Sequence, residues 1–176
     1  MEPVVRVSNF SYRYPDGTLA LHDMSFEVPE KSRLAILGPN GAGKSTLLLS
    51  LAGLIFGDGE IVIFGEPLTR ATARRLRERI GLVFQDPDDQ LFMPTVIDDA
   101  MFGPLNQGLS HEEARNRAVA ALDTMGVVDL ADRPPHHLSL GQKRRVAIAG
   151  VLAMRPAILA LDEPAIGLDP RSRGAL

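Results

Sequence analysis

The sequence predicts an α/β fold, and two stretches carry this prediction. Residues 38–46, GPNGAGKST, follow the short apolar run 34–37 and lead into three leucines. A buried strand, a glycine-rich turn and a helix start form the context in which the GxxxxGK[ST] pattern binds phosphate. Farther along, the apolar run 157–161 ends in two carboxylates, Asp162 and Glu163. Ligands of α/β proteins bind at the carboxyl ends of buried strands, so these carboxylates mark a second part of a site.

Each residue type in the glycine-rich stretch suits a triphosphate. Gly38, Gly41 and Gly43 allow backbone conformations in which successive N–H groups form an anion-binding nest at a helix N-terminus. Lys44 adds a positive charge for the β- and γ-phosphates, and Ser45 offers a hydroxyl to Mg²⁺. We therefore predict that the chain binds a nucleoside triphosphate with Mg²⁺. The predicted binding residues are Gly38, Pro39, Asn40, Gly41, Ala42, Gly43, Lys44, Ser45 and Thr46.

Length and composition limit the class of protein. The chain has 176 residues, enough for one α/β domain with its own core. Its formal net charge is −3 and its pI is near 5.8, so no nucleic-acid partner is expected. There is no cysteine, which excludes disulfides and cysteine-ligated zinc and is compatible with the cytosol. The longest apolar runs are about half the roughly 20 residues of a membrane-spanning helix.

The first half of the chain is predicted to be rich in strands. Apolar and β-branched residues come in short runs bounded by glycine and proline, which is the composition of strands and turns. The predicted strands are residues 4–10, 20–28, 33–37, 59–65 and 80–84, with a turn at 14–18. The predicted helices are residues 44–52 and the basic stretch 69–79, whose arginines are expected to face solvent.

The second half is predicted to be mainly helical. Thr95 can cap a short helix through Asp98, and the glycine-proline pair at 103–104 is expected to interrupt it. Capping patterns S-x-x-E and S-x-x-Q open further helices after Ser110 and Ser139. We therefore predict a single domain, residues 1–176, in which a core formed by residues 1–90 and 156–176 carries a helical subdomain, residues 91–155.

The two carboxylates after the apolar run 157–161 are suited to phosphoryl transfer. Because side chains alternate along a strand, Asp162 can help hold Mg²⁺ while Glu163 polarises an attacking water. Gln85, at the end of the predicted strand 80–84, can orient the same water or contribute an oxygen to Mg²⁺. The alternatives are a solvated acidic turn for the carboxylates and an ordinary loop position for the glutamine.

Several motifs together resemble those of ATP-binding cassette (ABC) ATPases. Residues 138–145, LSLGQKRR, resemble the family signature LSGGQ. The phosphate loop, Gln85, this signature, the carboxylates and the GLDP sequence at 167–170 follow in the order of the family. The resemblance covers essentially the whole chain. It implies a P-loop NTPase with an ABC-type core, in which a β-rich N-terminal part and a parallel sheet carry an inserted helical subdomain.

The same resemblance implies a head-to-tail dimer with a second ABC ATPase subunit, identical or different. ATP would lie between the phosphate loop of one subunit and Ser139, Gly141 and Gln142 of the other, with Asp169 at the seam. Leu140 departs from the family because it replaces the first glycine of LSGGQ. Its bulk could slow hydrolysis, or its side chain could point outward, and both alternatives stay open.

Tyr14 is the predicted contact for the adenine base. Residues 12–17, YRYPDG, resemble the segment that carries a stacking aromatic in this family. An aromatic ring offers a π face to any base. Tyr12 is the competing candidate, and a tyrosine that contacts no ligand is the remaining alternative.

A narrower resemblance concerns the sequence after Gln85. Residues 84–92, FQDPDDQLF, and the later FGPLN resemble ATPase subunits of energy-coupling-factor transporters, and residues 141–154 are most similar to the cobalt/nickel type. The resemblance implies an ATPase at the cytoplasmic face of the membrane that powers import of cobalt, nickel or a vitamin. A transmembrane subunit would dock near residues 85–106. Leu91, Phe92, Met93 and Phe102 are expected to be exposed there, with core packing as the alternative.

Two rival functions remain open at this stage. One is a soluble ABC ATPase that is not coupled to transport, and the other is a non-catalytic nucleotide-binding module. After Pro170 the chain has six residues, whereas the family continues with further strands, helices and a histidine that contacts the γ-phosphate. We therefore expect this polypeptide alone to bind ATP weakly and hydrolyse it poorly. The pair His136-His137 is expected to lie in a loop instead of binding a metal.

Overall fold

The first half of the chain forms a small antiparallel sheet and two short helices. The computed structural model describes residues 2–163, and the chain divides into two compact units, Met1–Arg77 and Glu78–Leu176. In the first unit, strands β1 (Val5–Arg13) and β2 (Leu19–Val28) form an antiparallel hairpin. Strand β3 (Asp58–Ile63) pairs with β1, and the short β4 (Glu66–Pro67) pairs with β3. Four of the predicted first-half elements are therefore confirmed. They are the two hairpin strands, the turn that joins them, and the strand predicted at residues 59–65.

The turn of the β1–β2 hairpin follows from its proline and glycine. Gly17 has a φ of 91°, a conformation that favours glycine. The N–H of Tyr14 donates to the carbonyl of Thr18 at 2.9 Å, and the N–H of Gly17 donates to the carbonyl of Tyr14 at 2.9 Å. The hairpin thus presents Tyr14 at the end of β1.

The prediction of a buried strand at residues 33–37 is wrong. This segment has no regular secondary structure, and Leu34 and Leu37 are 53% and 90% exposed. A strand needs a neighbour for its backbone hydrogen bonds, and β1 to β4 pair only with one another within residues 2–163. In the described part of the chain this apolar run therefore has no strand partner and is mostly exposed.

Of the two helices in the first unit, the first begins where the sequence predicts and the second begins later. Helix α1 (Lys44–Leu51) starts at the lysine of the phosphate-binding pattern, directly after its last glycine, Gly43. Helix α2 (Ala73–Arg77) is shorter than the predicted 69–79, because Thr69 and Thr72 exchange side-chain hydrogen bonds with each other's backbone N–H and form a separate turn. The exposed arginines of α2 confirm the expectation of a solvated basic face.

The second unit contains a parallel strand pair and three packed helices. Strands β5 (Ile80–Val83) and β6 (Ile158–Leu161) pair in parallel. Helices α3 (Val96–Asn106), α4 (His111–Thr124) and α5 (Leu140–Ala153) lie between them in sequence. The three helices share a core of fully buried aliphatic side chains, among them Val96, Ala100, Ala114, Leu122 and Val146. α5 also packs against β5, so one helix joins the helical core to the strand pair.

Helix caps in the second unit lie where the sequence predicts them. Thr95, Ser110 and Ser139 each accept a hydrogen bond from the backbone N–H three residues later. The predicted interruption at residues 103–104 is wrong, because α3 continues to Asn106. Pro104 is fully buried, and the helix closes two residues later when the N–H of Gln107 donates to the carbonyl of Gly103 at 3.0 Å. Packing against the core therefore outweighs the one helical hydrogen bond that proline lacks.

Within residues 2–163, no helix is both long enough and apolar enough to cross a bilayer.

Candidate nucleotide site

The phosphate loop of the first unit is shaped by two glycines. Gly41 and Gly43 have φ values of 81° and 84°, and Gly43 directly precedes α1 without any side-chain cap. A Cβ on Gly43 would lie 2.4 Å from the backbone oxygen of Ala20 in β2, so no other residue fits there. The uncapped end of α1 therefore leaves the start of the helix open to an anion. This is the geometry that the sequence predicts for a phosphate nest.

Lys44 and Ser45 occupy the first turn of α1. The ammonium Nζ of Lys44 donates to the carbonyls of Gly38 at 3.1 Å and Pro39 at 3.0 Å, which holds its charge against the loop. Ser45 is half-buried, and its hydroxyl makes no hydrogen bond within residues 2–163. The first turn of α1 therefore places an ammonium group and a hydroxyl group beside the loop.

Tyr14 lies against the same helix. Its hydroxyl is 2.8 Å from the Oγ1 of Thr46, and the residue is 37% exposed. The ring of Tyr12 meets it edge to face at 5.1 Å. The hairpin therefore brings an exposed aromatic ring to the first turn of α1, and the hydrogen bond favours Tyr14 over Tyr12 as the ring that a base would stack on.

In the second unit, the strand pair brings the predicted catalytic residues together. The N–H of Asp162 donates to the carbonyl of Val83 at 3.0 Å, which continues the β5–β6 ladder by one residue. Beyond this point, the Nε2 of Gln85 donates to the Oε2 of Glu163 at 3.0 Å. Asp162 is buried, with 9% of its surface exposed. Two residues 78 positions apart thus meet because their strands are parallel neighbours.

The backbone of Glu163 is in the left-handed region, with a φ of 47°. A glutamate rarely adopts this conformation, and residues held in it cluster at functional sites. The turn directs the Glu163 carboxylate to Gln85 while the preceding Asp162 stays buried. The two carboxylates therefore have different surroundings, as their predicted separate roles require.

The segment after β5 is fixed to α5 by side chains that sequence reasoning missed. The Nη2 of Arg144 donates to the carbonyl of Gln85 at 2.8 Å. Gln90 donates from Nε2 to the carbonyl of Ala147 at 2.8 Å, while its Oε1 accepts from the N–H of Phe84 at 3.3 Å. The only signal in the sequence was polar residues on a helix with an otherwise apolar core face. An ion pair between Lys143 and Asp88, with an N···O distance of 2.6 Å, joins the same segment to α5.

The start of α5 carries the residues that resemble the ABC signature. Ser139 and Gln142 form a full capping box, in which the side chain of each accepts from the backbone N–H of the other. A Cβ on Gly141 would have nothing within 4 Å. Leu140 is half-exposed, at 50%. The N-terminus of α5 is therefore capped by the side chains of Ser139 and Gln142, and the space beside Gly141 is open.

An apolar groove of about 210 Å³ lies between α3, α5 and the segment before α3. Phe92 and Phe102 line it, are 64% and 42% exposed, and meet edge to face with ring centroids 4.9 Å apart. Their predicted exposure is thus confirmed. Leu91 and Met93 are only partly exposed, so the expected exposure is not found for these two residues, and for Leu91 the alternative of packing against the helical core applies.

A buried carboxylate, Asp99, lines the same groove. Its Oδ1 accepts the backbone N–H groups of Phe92 and Met93, both at 3.1 Å. Its Oδ2 is buried and has no hydrogen-bond partner within residues 2–163. Burial raises the pKa of Asp99 above its ordinary value, against the effect of the two backbone hydrogen bonds. A buried carboxylate oxygen without a partner marks a place where a donor from another molecule would be stabilising.

Two further predictions concern other parts of the chain. Asp169 and the GLDP sequence at 167–170 lie outside the described residues. The rings of His136 and His137 contact each other at 4.3 Å, and no group of three or more potential metal ligands occurs in residues 2–163.

The sequence of this chain is similar to those of transporter ATPases. A family model described as "ABC transporter" matches residues 21–166. The energy-coupling factor transporter ATP-binding protein EcfA of Carboxydothermus hydrogenoformans is 53% identical over 174 residues, which cover 98% of this chain and 64% of that protein. The cobalt import ATP-binding protein CbiO of Rhodobacter capsulatus is 54% identical over 172 residues, which cover 96% of this chain and 61% of that protein. The chain therefore spans less than two thirds of the length of these relatives.

Solved structures show the same relationship. CbiO1 from Clostridium perfringens, described as part of the ABC transporter complex cbiONQ, superposes with a TM-score of 0.85 at 44% identity over 99% of this chain and 70% of that one. The ATP-binding cassette MJ0796, described as a dimer in a post-hydrolysis state bound to ADP and Pi, gives a TM-score of 0.88 at 30% identity over 97% of this chain and 78% of that one. These similarities confirm the predicted α/β fold of the ABC type.

Proposed function

Because this chain belongs to the ABC transporter family, we propose that it binds and hydrolyses ATP to power import through a membrane transporter of the energy-coupling-factor type. The relative named for cobalt import makes cobalt or nickel the proposed cargo. The observation that supports hydrolysis most directly is the hydrogen bond from Gln85 to Glu163, because it joins a neutral amide to a carboxylate that can act on water.

The donors that the chain offers fit a complex of Mg²⁺ with ATP. Mg²⁺ prefers hard oxygen ligands, and such oxygens are present in the Ser45 hydroxyl, the buried Asp162 carboxylate and the Oε1 of Gln85. We propose each of these groups as a ligand of the ion. When bound, the ion neutralises charge on the β- and γ-phosphates. Lys44 adds a further positive charge at the loop, where its ammonium exchanges the carbonyls of Gly38 and Pro39 for phosphate oxygens.

Glu163 and Gln85 act on the water that attacks the γ-phosphate. The Glu163 carboxylate accepts a hydrogen bond from this water, which raises the electron density on the water oxygen. Gln85 orients the carboxylate through the 3.0 Å contact. Phosphoryl transfer needs little covalent chemistry from the protein, so positioning of the water is the main contribution of these residues. Tyr14 stacks on the adenine at the other end of the nucleotide.

The second half of the phosphate site comes from another ABC ATPase subunit, identical or different. The capped N-terminus of α5, with Ser139, Gly141 and Gln142, offers the positive end of a helix dipole to the γ-phosphate across a head-to-tail dimer. The open space at Gly141 supports an approach of this kind. The dimer of the similar cassette MJ0796 with ADP and Pi is a related assembly.

The apolar groove beside α3 is the proposed docking site for a helix of the transmembrane subunit. Phe92 and Phe102 supply exposed aromatic surface, which is typical of a helix-in-groove contact. The unpartnered Oδ2 of Asp99 favours a basic side chain on the incoming helix, because a cation would satisfy the buried charge. Docking there would keep the chain at the cytoplasmic face of the membrane as a peripheral subunit.

Glu163→Gln tests hydrolysis. In the full-length protein we expect the rate of phosphate release to fall by about 100-fold or more, because the amide cannot act as a base. Binding of ATP, measured by titration, should be retained, since the phosphate loop is unchanged. Glu113→Gln, at an exposed position of α4, is the matched control. Release of phosphate by Glu163→Gln at the normal rate would refute the catalytic role of this carboxylate.

Phe92→Glu and Phe102→Glu test docking. Each places a charge on the exposed edge of the groove, so co-purification with the transmembrane subunit should fall while ATP binding stays normal. Val128→Glu is the control, because Val128 is exposed on the same unit away from the groove lining. If both phenylalanine variants still co-purify with the membrane subunit, docking at this groove is wrong.

A further inference from the structure

Arg144 is a buried arginine in the middle of the second unit. Only 4% of its surface is exposed, and it lies in the second turn of α5. Its Nη2 donates to the backbone carbonyl of Gln85 at 2.8 Å, across a sequence separation of 59 residues. Burial of a guanidinium is costly unless it is hydrogen-bonded, and bonds from a charged donor are roughly twice as strong as neutral ones. The Gln85 backbone is therefore held by a strong and specific contact.

The position of the Gln85 side chain depends on this backbone. Gln85 follows the end of β5, lies outside any helix or strand and is exposed. Its amide meets Glu163 at a hydrogen-bond distance of 3.0 Å. A backbone shift of about 1 Å would break such a contact, and misplacements of this size cost large factors in rate at catalytic sites.

Two other contacts join the segment after β5 to α5, but they involve residues farther along the chain than Gln85. Gln90 is joined to Ala147, and Asp88 is joined to Lys143, both on α5. These contacts lie three and five residues beyond Gln85 in the chain. Within residues 2–163, Arg144 is the α5 side chain that donates a hydrogen bond to Gln85 itself.

We propose that Arg144 is a positioning residue for ATP hydrolysis. By holding the carbonyl of Gln85, it keeps the Gln85 amide on the Glu163 carboxylate. The proposal rests on the proposed function, in which those two side chains act on the attacking water. It also gives α5 two tasks, because the helix whose N-terminus would meet the γ-phosphate of a second subunit also sets Gln85 within its own subunit.

Arg144→Met tests this role in the full-length protein. Methionine keeps much of the buried volume and removes the donor, so kcat for phosphate release should fall by about tenfold. KM for ATP should change by less than about twofold, because the nucleotide contacts are elsewhere. Arg144→Lys restores one charged donor and should recover part of the rate. Arg117→Met, which removes a guanidinium paired with Glu113 on α4, is the control and should hydrolyse normally.

A double-mutant cycle with Gln85→Ala separates positioning from a general effect on folding. If Arg144 acts through the Gln85 side chain, Arg144→Met should slow the normal protein but add little to Gln85→Ala. Equal slowing in both backgrounds, or a normal kcat for Arg144→Met, would overturn the proposal. Failure of the proposed function is recognised separately, because in that case the unmodified protein and Glu163→Gln would release phosphate at the same rate.

Discussion

The phosphate loop and the carboxylate site are held in shape by different means. The backbone determines the shape of the loop, because Gly41 and Gly43 adopt left-handed conformations and Gly43 lies against the backbone of Ala20. Side-chain hydrogen bonds determine the geometry of the carboxylate site, because Gln85 donates to Glu163 and Arg144 donates to the Gln85 carbonyl. Added atoms should therefore damage the loop, whereas removed atoms should damage the carboxylate site. The predictions below test this contrast, from the largest expected effect to the smallest.

Gly43→Ala should have the largest effect. Its Cβ would lie 2.4 Å from the Ala20 oxygen, and the left-handed φ adds strain, so we expect the free energy of unfolding to fall by about 3 kcal/mol. ATP binding should be lost with the loop geometry. Urea unfolding and ATP titration are the measurements.

Gly41→Ala is the matched comparison for this glycine. Its φ is similar, at 81°, but a Cβ there would have nothing within 4 Å. The expected cost is therefore only about 1 kcal/mol, from the backbone conformation alone. Equal losses of stability for the two alanine variants would show that contact with Ala20 is not what shapes the loop.

Gln90→Leu tests whether removal of side-chain hydrogen bonds destabilises the second unit. The change leaves the N–H of Phe84 without its acceptor and removes the donor to Ala147. We expect a loss of about 1–2 kcal/mol in the free energy of unfolding. Asn116→Leu, at an exposed position of α4, serves as the control and should be near neutral. An unchanged stability for Gln90→Leu would break the contrast.

The Tyr14 ring should matter more than its hydroxyl. Tyr14→Ala removes the proposed stacking surface and should weaken ATP binding by about tenfold, since stacking on a base contributes about 1–3 kcal/mol. Tyr14→Phe loses only the contact with Thr46 and should weaken binding by less than about threefold. Binding titrations on Tyr12→Ala complete the set, and a larger loss there would assign the adenine to Tyr12.

Asp99 should give a small pH dependence to stability. Burial raises its folded-state pKa above the unfolded value of 3.8, so the folded protein holds this proton at pH values where the unfolded chain has lost it. Stability should therefore decline, relative to Asp99→Asn, as pH rises from near 4 through the raised pKa, and then level off. Urea midpoints of both proteins across this range are the measurement. A difference that is independent of pH would show that Asp99 titrates normally.

The parts of the fold that depend on local sequence could be predicted. The β1–β2 hairpin, the start of α1 and the caps at Thr95, Ser110 and Ser139 each need only a few adjacent residues. The absence of a strand at residues 33–37 could not be predicted, because strand formation depends on a hydrogen-bonding neighbour and not on apolar composition alone. For the same reason, α3 passes Pro104, whose burial in the helical core no local rule contains.

The candidate site divides along the same line. The phosphate loop residues follow from spacing within one short stretch, and their roles remain predictions that the variants above test. The meeting of Gln85 with Glu163 could be anticipated only as two strand ends at one sheet edge. The contact of Arg144 with Gln85 could not be predicted, because a polar residue on an apolar helix face does not show which group it reaches, and that depends on the packing of α5 against β5.

The close approach of Gly43 to Ala20 also matters for protein engineering. The loop owes its shape to β2, and the same hairpin carries Tyr14, whose hydroxyl contacts Thr46. A phosphate loop transplanted alone into another scaffold would lose the wall that shapes it. The smallest transferable part is therefore the hairpin together with the loop and the first turn of α1, and a graft of that part would bring base and phosphate recognition together.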